Sequence, residues 1–274
     1  MKKMRQILGL FLVLAMVSCG NSKSDGDKNG KDSTQSATVD NAKLPDAVTA
    51  ELLEKAKKEG KSVFLVITGS SVTGVEKATA NVNGAKAKEK NSVVYSLNRD
   101  AAENKELVAK FEIETVPVPF ILVISPKGLP VNGGEPAQLT PEMILSSIPS
   151  PKQDEVNVAM YDEQPVFIVV SQKGLTDKES VLTNCKKASA KIESKPIIVD
   201  VDFDDAAEKG FLKQMGVSKI DKSTIVVVIN ASGQIADTFN KNPTIGQLVT
   251  AATKAKKKSS GCKPGECGSG SSCG

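Results

Sequence analysis

Three patterns in this chain occur twice. SVFLVIT at 62–68 returns as PVFIVVS at 165–171, DAAENKELVAKFEI at 100–113 returns as DAAEKGFLKQMGV at 205–217, and FILVISPKG at 120–128 returns as IVVVINASG at 225–233. Each pair is displaced by about a hundred residues, an ordinary domain length. The apolar runs are of strand length and rich in β-branched residues, which is the composition of strands buried on both faces. Such strands need helices over them, so the repeat predicts two α/β units, each a central sheet flanked by helices. An apolar share of 39% is enough for two cores. Pro149, Ser150 and Pro151 mark the expected boundary.

In the first unit Val48, Leu52, Leu53 and Ala56 fall at helical spacing, predicting an amphipathic helix over 46–59 that stops at Gly60. A strand over 61–68, a weak helix within 70–83, a strand over 92–97 and a helix over 101–111 follow. Next come a strand over 120–124, a short strand near 129–132, and a last helix capped by Thr140 with Pro141 in its first turn. The second unit supplies strands at 165–171, 196–201 and from 225, with a closing helix over 244–252.

The order β-α-β-α-β-β-α, with one helix ahead of it, resembles the thioredoxin core. The stretch FEIETVPVPFILVISPKG at 111–128 carries the resemblance most closely, because it joins a helix end, a proline-marked loop and an apolar strand. The fold class it implies is two tandem thioredoxin-like domains, 44–149 and 152–255. It also implies a cis proline at Pro117, after Val116; read from the residues alone, an ordinary turn with a trans proline stands beside that. In thioredoxins a C-x-x-C pair opens the helix after the first core strand, where the helix N-terminus stabilises a thiolate. The matching positions here are Val72, Thr73, Gly74 and Val75, a degenerate motif without sulfur. The second copy has 174–178 at that point, with Ser223 or Thr224 in place of the proline.

Residues 1–18 read as a leader: Lys2, Lys3 and Arg5 are followed by an apolar run from Ile7 to Val17 that is too short to span a membrane comfortably. Ser18 and Cys19 complete a pattern that resembles a bacterial lipoprotein signal, although Met16 stands where Leu is usual. The resemblance implies a lipid anchor on Cys19. By the same resemblance, Gly20 rather than Asp after it implies the outer membrane of the cell envelope. Residues 19–43 are Ser, Asp, Lys, Gly and Asn with little that is apolar, which predicts a flexible tether. Three of the cations behind the formal charge of +4 belong to the leader, so the remainder is nearly balanced and gives no case for nucleic acid.

The chain has no His, which excludes Ser-His-Asp and Cys-His machinery and His-built zinc sites. The acidic run DVDFDD at 200–205 lacks the glycine and terminal Glu of a calcium loop, and reads as a strand end followed by a helix cap. Gly69 and Gly74 are followed by no G-K-[ST], so no phosphate loop is expected. Cys185 sits in a helical pattern and reads as an inert core thiol. Cys262, Cys267 and Cys273 lie in a Gly- and Ser-rich tail, 256–274, expected to be disordered. Three readings stand for them: a soft-metal site for Cu(I) or Zn, disulfide pairing or exchange aided by Lys263 beside Cys262, or no role.

The functional expectation is therefore a membrane-anchored envelope protein whose redox-inactive domains bind an unidentified partner protein or peptide. The alternative is a thiol-disulfide oxidoreductase or soft-metal protein working through its C-terminal cysteines.

Overall fold

The computed structural model describes residues 43–254. The leader, Cys19, the tether before residue 43 and the tail cysteines Cys262, Cys267 and Cys273 lie outside the described residues.

The first half runs α1 (Ala50–Lys58), β1 (Ser62–Thr68), α2 (Val75–Lys88), β2 (Ser92–Asn98), α3 (Lys105–Phe111), β3 (Phe120–Ile124), β4 (Pro130–Gly134) and α4 (Pro141–Ser146). The second runs α5 (Pro151–Tyr161), β5 (Val166–Ser171), α6 (Lys178–Ser189), β6 (Ile197–Asp202), α7 (Lys209–Gln214), β7 (Ile225–Ile229), β8 (Ile235–Phe239) and α8 (Ile245–Ala252). Two four-stranded sheets result, ordered β2-β1-β3-β4 and β6-β5-β7-β8. In each, the first two strands in sequence are parallel and the last two pair antiparallel. Helices flank each sheet, and this strand order is that of two tandem thioredoxin-like domains.

Every residue of β1 and of β5 is buried, which puts these strands at the centre of their sheets. Because side chains alternate along a strand, each feeds two cores. Val63, Leu65 and Ile67 join Leu53, Leu107 and Phe111, while Phe64 and Val66 meet Ala78, Val82 and Ile144 on the opposite face. Val166, Ile168 and Val170 pack with Val156 and Phe211; Phe167 and Val169 pack with Val181, Cys185 and Leu248. Full burial of one such aliphatic or aromatic side chain is worth about 1.5–3 kcal/mol.

Several local boundaries differ from expectation for identifiable reasons. Asp46 and Val48 are not helical: the Ser96 N–H donates to the Asp46 carbonyl (2.9 Å) and the Val48 N–H to the Ser96 carbonyl (2.8 Å), on the outer edge of β2. The helix waits for Thr49, whose hydroxyl accepts from the Leu52 N–H. α2 begins late, at Val75, because Gly74 is left-handed (φ 79°), and it runs on to Lys88. Gly84 sits within that helix where a β-carbon would come 3.2 Å from Pro141, so its bareness lets α4 approach. The structure adds α5, which starts at the Ser150 cap and Pro151, and the largely exposed β8, neither of which the sequence pattern predicts.

The junction between the halves is held at both ends. The Ile148 N–H closes the last turn of α4 on Leu145, and the Glu208 carboxylate, buried beneath α5, accepts from the Ser150 hydroxyl (2.5 Å) and the Lys152 N–H (3.0 Å). Asp154, also on α5, accepts from the N–H of Lys127 in the β3–β4 turn of the first half (2.9 Å). It is buried, its Oδ1 has no partner among the described residues, and burial pushes its carboxyl above the ordinary range, Ser125 and Lys127 offsetting only part.

A folded pKa raised above the unfolded value means that the Asp154 carboxylate increasingly disfavours the folded state as pH rises through the carboxylate range, from about 4 upward. Asp154→Asn keeps an acceptor for Lys127 and removes the charge. Urea midpoints measured across this range should therefore show the variant gaining on the wild-type chain as pH rises; a pH-independent difference would contradict this assignment.

Candidate functional site

The end of β1, the loop 69–74 and the loop before β3 meet at one point. A β-carbon placed on Gly69 would lie 3.2 Å from Val72 Cγ2, 3.5 Å from Val118 Cγ2 and 2.9 Å from Asp100 Oδ2. Val72 and Val118 thus face the same bare backbone position, and both are half-buried. Val75, the other degenerate position, is the first residue of α2 and is also half-buried. The loops are tied by the residues after β2. Asp100 accepts from the Ser70 N–H (2.8 Å), Arg99 Nη1 donates to the Val116 carbonyl, and Arg99 Nε lies 3.7 Å from Asp100 Oδ1.

The cis peptide lies between Val118 and Pro119, which corrects the expectation of Pro117. The sequence offers two consecutive Val-Pro pairs, and the strand decides between them. The ladder of β3 with β1 begins at Phe120, opposite Ile67, so Pro119 is the residue at the mouth of the sheet. Pro117 lies two residues further out and is exposed.

The second copy treats the equivalent point differently. Phe120 pairs with Ile67 as Ile225 pairs with Val170, so Thr224 occupies the position of Pro119 and Ser223 that of Val118. Counting from the same register, Leu175, Asp177 and Lys178 stand where the first copy has Val72, Gly74 and Val75. Unlike proline, Thr224 has an N–H to satisfy, and it is fully buried. Asp177, at the N-terminal boundary of α6, accepts from the Thr224 N–H at 3.0 Å and from its hydroxyl at 2.7 Å. Lys178 turns outward to Asp200 on β6 (2.8 Å). In the first copy the loops meet through Val72 and Val118, with the Asp100 carboxylate beside them over Gly69, whereas in the second Asp177 bonds directly to the residue in the proline's place. Sequence reasoning missed this closure because the partners are 47 residues apart.

Cys185 is the one cysteine among the described residues, and it is fully buried on α6 against Phe167, Val169 and Leu248. Burial pushes its thiol up to about 12, so it stays protonated and unreactive at neutral pH. The acidic run ends β6 at Asp202, whose Oδ1 accepts from the Asp204 N–H, while Asp205 caps the following turn by accepting from Ala207. Among the described residues no group of three or more His, Cys, Asp or Glu is placed to hold a metal ion, and no helix is long and apolar enough to cross a membrane.

No family model matches this sequence, and no curated protein matches it. Solved structures do. The first two thioredoxin domains of Naumovozyma dairenensis Eps1p match at 13% identity over 78% of this chain and 98% of that one, with a TM-score of 0.28. The corresponding Saccharomyces cerevisiae Eps1p domains match at 11% over 78% and 99%, TM-score 0.30. Human ERp44 matches at 9% over 78% and 57%, TM-score 0.35. Scores this low add nothing to what the strand order establishes.

Removing the closing carboxylate tests its structural weight. Asp177→Ala leaves the buried N–H and hydroxyl of Thr224 without their acceptor, and unfolding by denaturant should show a loss of about 2–3 kcal/mol. A loss under about 0.5 kcal/mol, ordinary for an exposed substitution, would mean the contact is incidental.

Proposed function

We propose that this chain is a lipid-anchored protein of the bacterial cell envelope, at the outer membrane, whose first thioredoxin-like domain holds a partner polypeptide beside Pro119 without thiol chemistry. The supporting observation is the meeting of Val72 and Val118 over Gly69. Half-buried Val72 and Val118 stand where the second copy makes the Asp177–Thr224 hydrogen bonds, so the first copy offers partly exposed valine surface next to a proline that has no N–H to donate. An extended segment laid across it gains apolar burial, and the fold does not depend on a sulfur at that point.

The anchoring rests on the basic start, the short apolar run and Cys19, with Gly20 after it. Cys19→Ser should move the protein from the membrane fraction to the soluble fraction and abolish labelling by a fatty-acid analogue. Retention of either property by the variant would remove the anchor from the reading.

A second reading draws on the cluster Cys262, Cys267 and Cys273. With Cys185 sealed in a core, any thiol exchange or Cu(I) or Zn binding falls to those residues. Two measurements separate the readings. Val118→Asp places a charge on this partly exposed valine surface, and a partner held there should no longer co-purify from detergent-solubilised envelopes. Insulin reduction, or stoichiometric metal, found in the full chain and lost from a form ending at Lys254 would instead favour the tail.

A further inference from the structure

We infer that the outer edge of β6 is a docking site for an extended polypeptide segment in which basic residues alternate with β-branched ones. The two halves differ at this edge in a way that points to a guest strand. In the first half the outer edge of β2 is occupied at Ser96 by residues 45–48, which pair with it in parallel at Ala47. Ser96 donates to Asp46, accepts from Val48 and donates its hydroxyl to the Pro45 carbonyl (2.8 Å). Val48 is thereby 4% exposed, packed into the core shared with Leu65 and Leu97.

The register places Asp200 where Ser96 stands, since Ser96 pairs with Val66 and Asp200 with Val169. Ile197 and Phe203 direct their N–H groups inward to Pro165 and Ser171, so Ile198, Asp200 and Asp202 direct theirs outward. Among the described residues nothing pairs with the outward N–H and C=O groups of Ile198 and Asp200. The residues that precede α5 are unable to do what 45–48 do before α1, because 147–150 are bound into the end of α4 and to Glu208. An unpaired edge of this kind is a template for a further strand.

The side chains beside the edge select the guest. Ile198 packs in the core beneath α6 and α8, and Asp200 and Asp202 follow it on that face; Val199 and Val201 lie on the opposite face, toward α5 and α7. Asp200 is already paired with Lys178 at 2.8 Å, so a guest turns one set of alternate residues toward exposed Asp202, with Asp204 and Asp205 just beyond, and the other set toward the face of Val199 and Val201, as Val48 turns inward in the first half. Lysine or arginine suits the first set and valine or isoleucine the second. The acidic side chains only set the sign; the bonding is the backbone's. A second copy of the same edge would oppose aspartate to aspartate and is disfavoured.

The test uses the isotope-labelled full chain carrying Cys19→Ser and two synthetic peptides, acetyl-Val-Lys-Val-Lys-Val-amide and its Val-Asp-Val-Asp-Val counterpart. The lysine peptide should shift the amide resonances of Ile198, Asp200 and Asp202, slow their hydrogen exchange, and bind about tenfold more tightly than the aspartate peptide. Asp202→Lys, or Asp204→Lys should the first fail to fold, should narrow or reverse that preference. Three results would overturn the inference: equal binding of the two peptides, shifts at Val118 and Phe120 rather than on β6, or β6 amides already slow in the free chain because its own tail or a second copy covers the edge. The edge is separate from the space beside Pro119, so failure of either site leaves the other untouched.

Discussion

Burial of one strand on both faces organises each half of this protein. Every residue of β1 and β5 is buried, and their alternating side chains must be covered from two sides at once. That requirement brings α1 and α3 to one face and α2 and α4 to the other, and it places the parallel neighbour and the antiparallel neighbour on opposite edges. The loops that leave the end of the central strand are consequently fixed against the loop that enters β3. Gly69, Val72 and Val118 meet because the sheet forces their backbones together.

On that shared frame the two copies differ most consequentially where Pro119 of the first stands against Thr224 of the second. Proline at 119 supplies no donor, so the first copy has no buried N–H to satisfy and its opposing loop carries valine. Threonine at 224 supplies two donors, and a carboxylate from the start of α6 answers both. Single substitutions of this kind change what a cleft offers without touching the core beneath it, because the strands are stabilised by side chains pointing elsewhere. Valine at 72 and 75, without sulfur, likewise leaves the core beneath unaltered.

Much of this fold is legible in the sequence itself. β3, the cap at Thr140 and the core role of Cys185 follow from local signals: a β-branched run, a hydroxyl before Pro141, a thiol at helical spacing among apolar residues. What escaped reading depends on contacts distant in sequence. Pro117 and Pro119 are locally indistinguishable, and only the partner strand at Ile67 separates them. Asp46 looks like a helix start until Ser96 claims its carbonyl. The Asp177 to Thr224 closure leaves no local trace, and Asp154 looks like an ordinary first-turn acid on α5 until the Lys127 turn is folded against it.

The way α5 is fastened has a consequence for how this architecture can change over generations. Its start is gripped by Glu208 of its own half, while Asp154, three positions in, reaches into the hairpin of the other. A gene fragment cut at the proline-rich junction would carry a helix deprived of one of its two attachments. The halves share one strand order, but the seam between them is stitched from both sides, so a cut there would not release interchangeable modules.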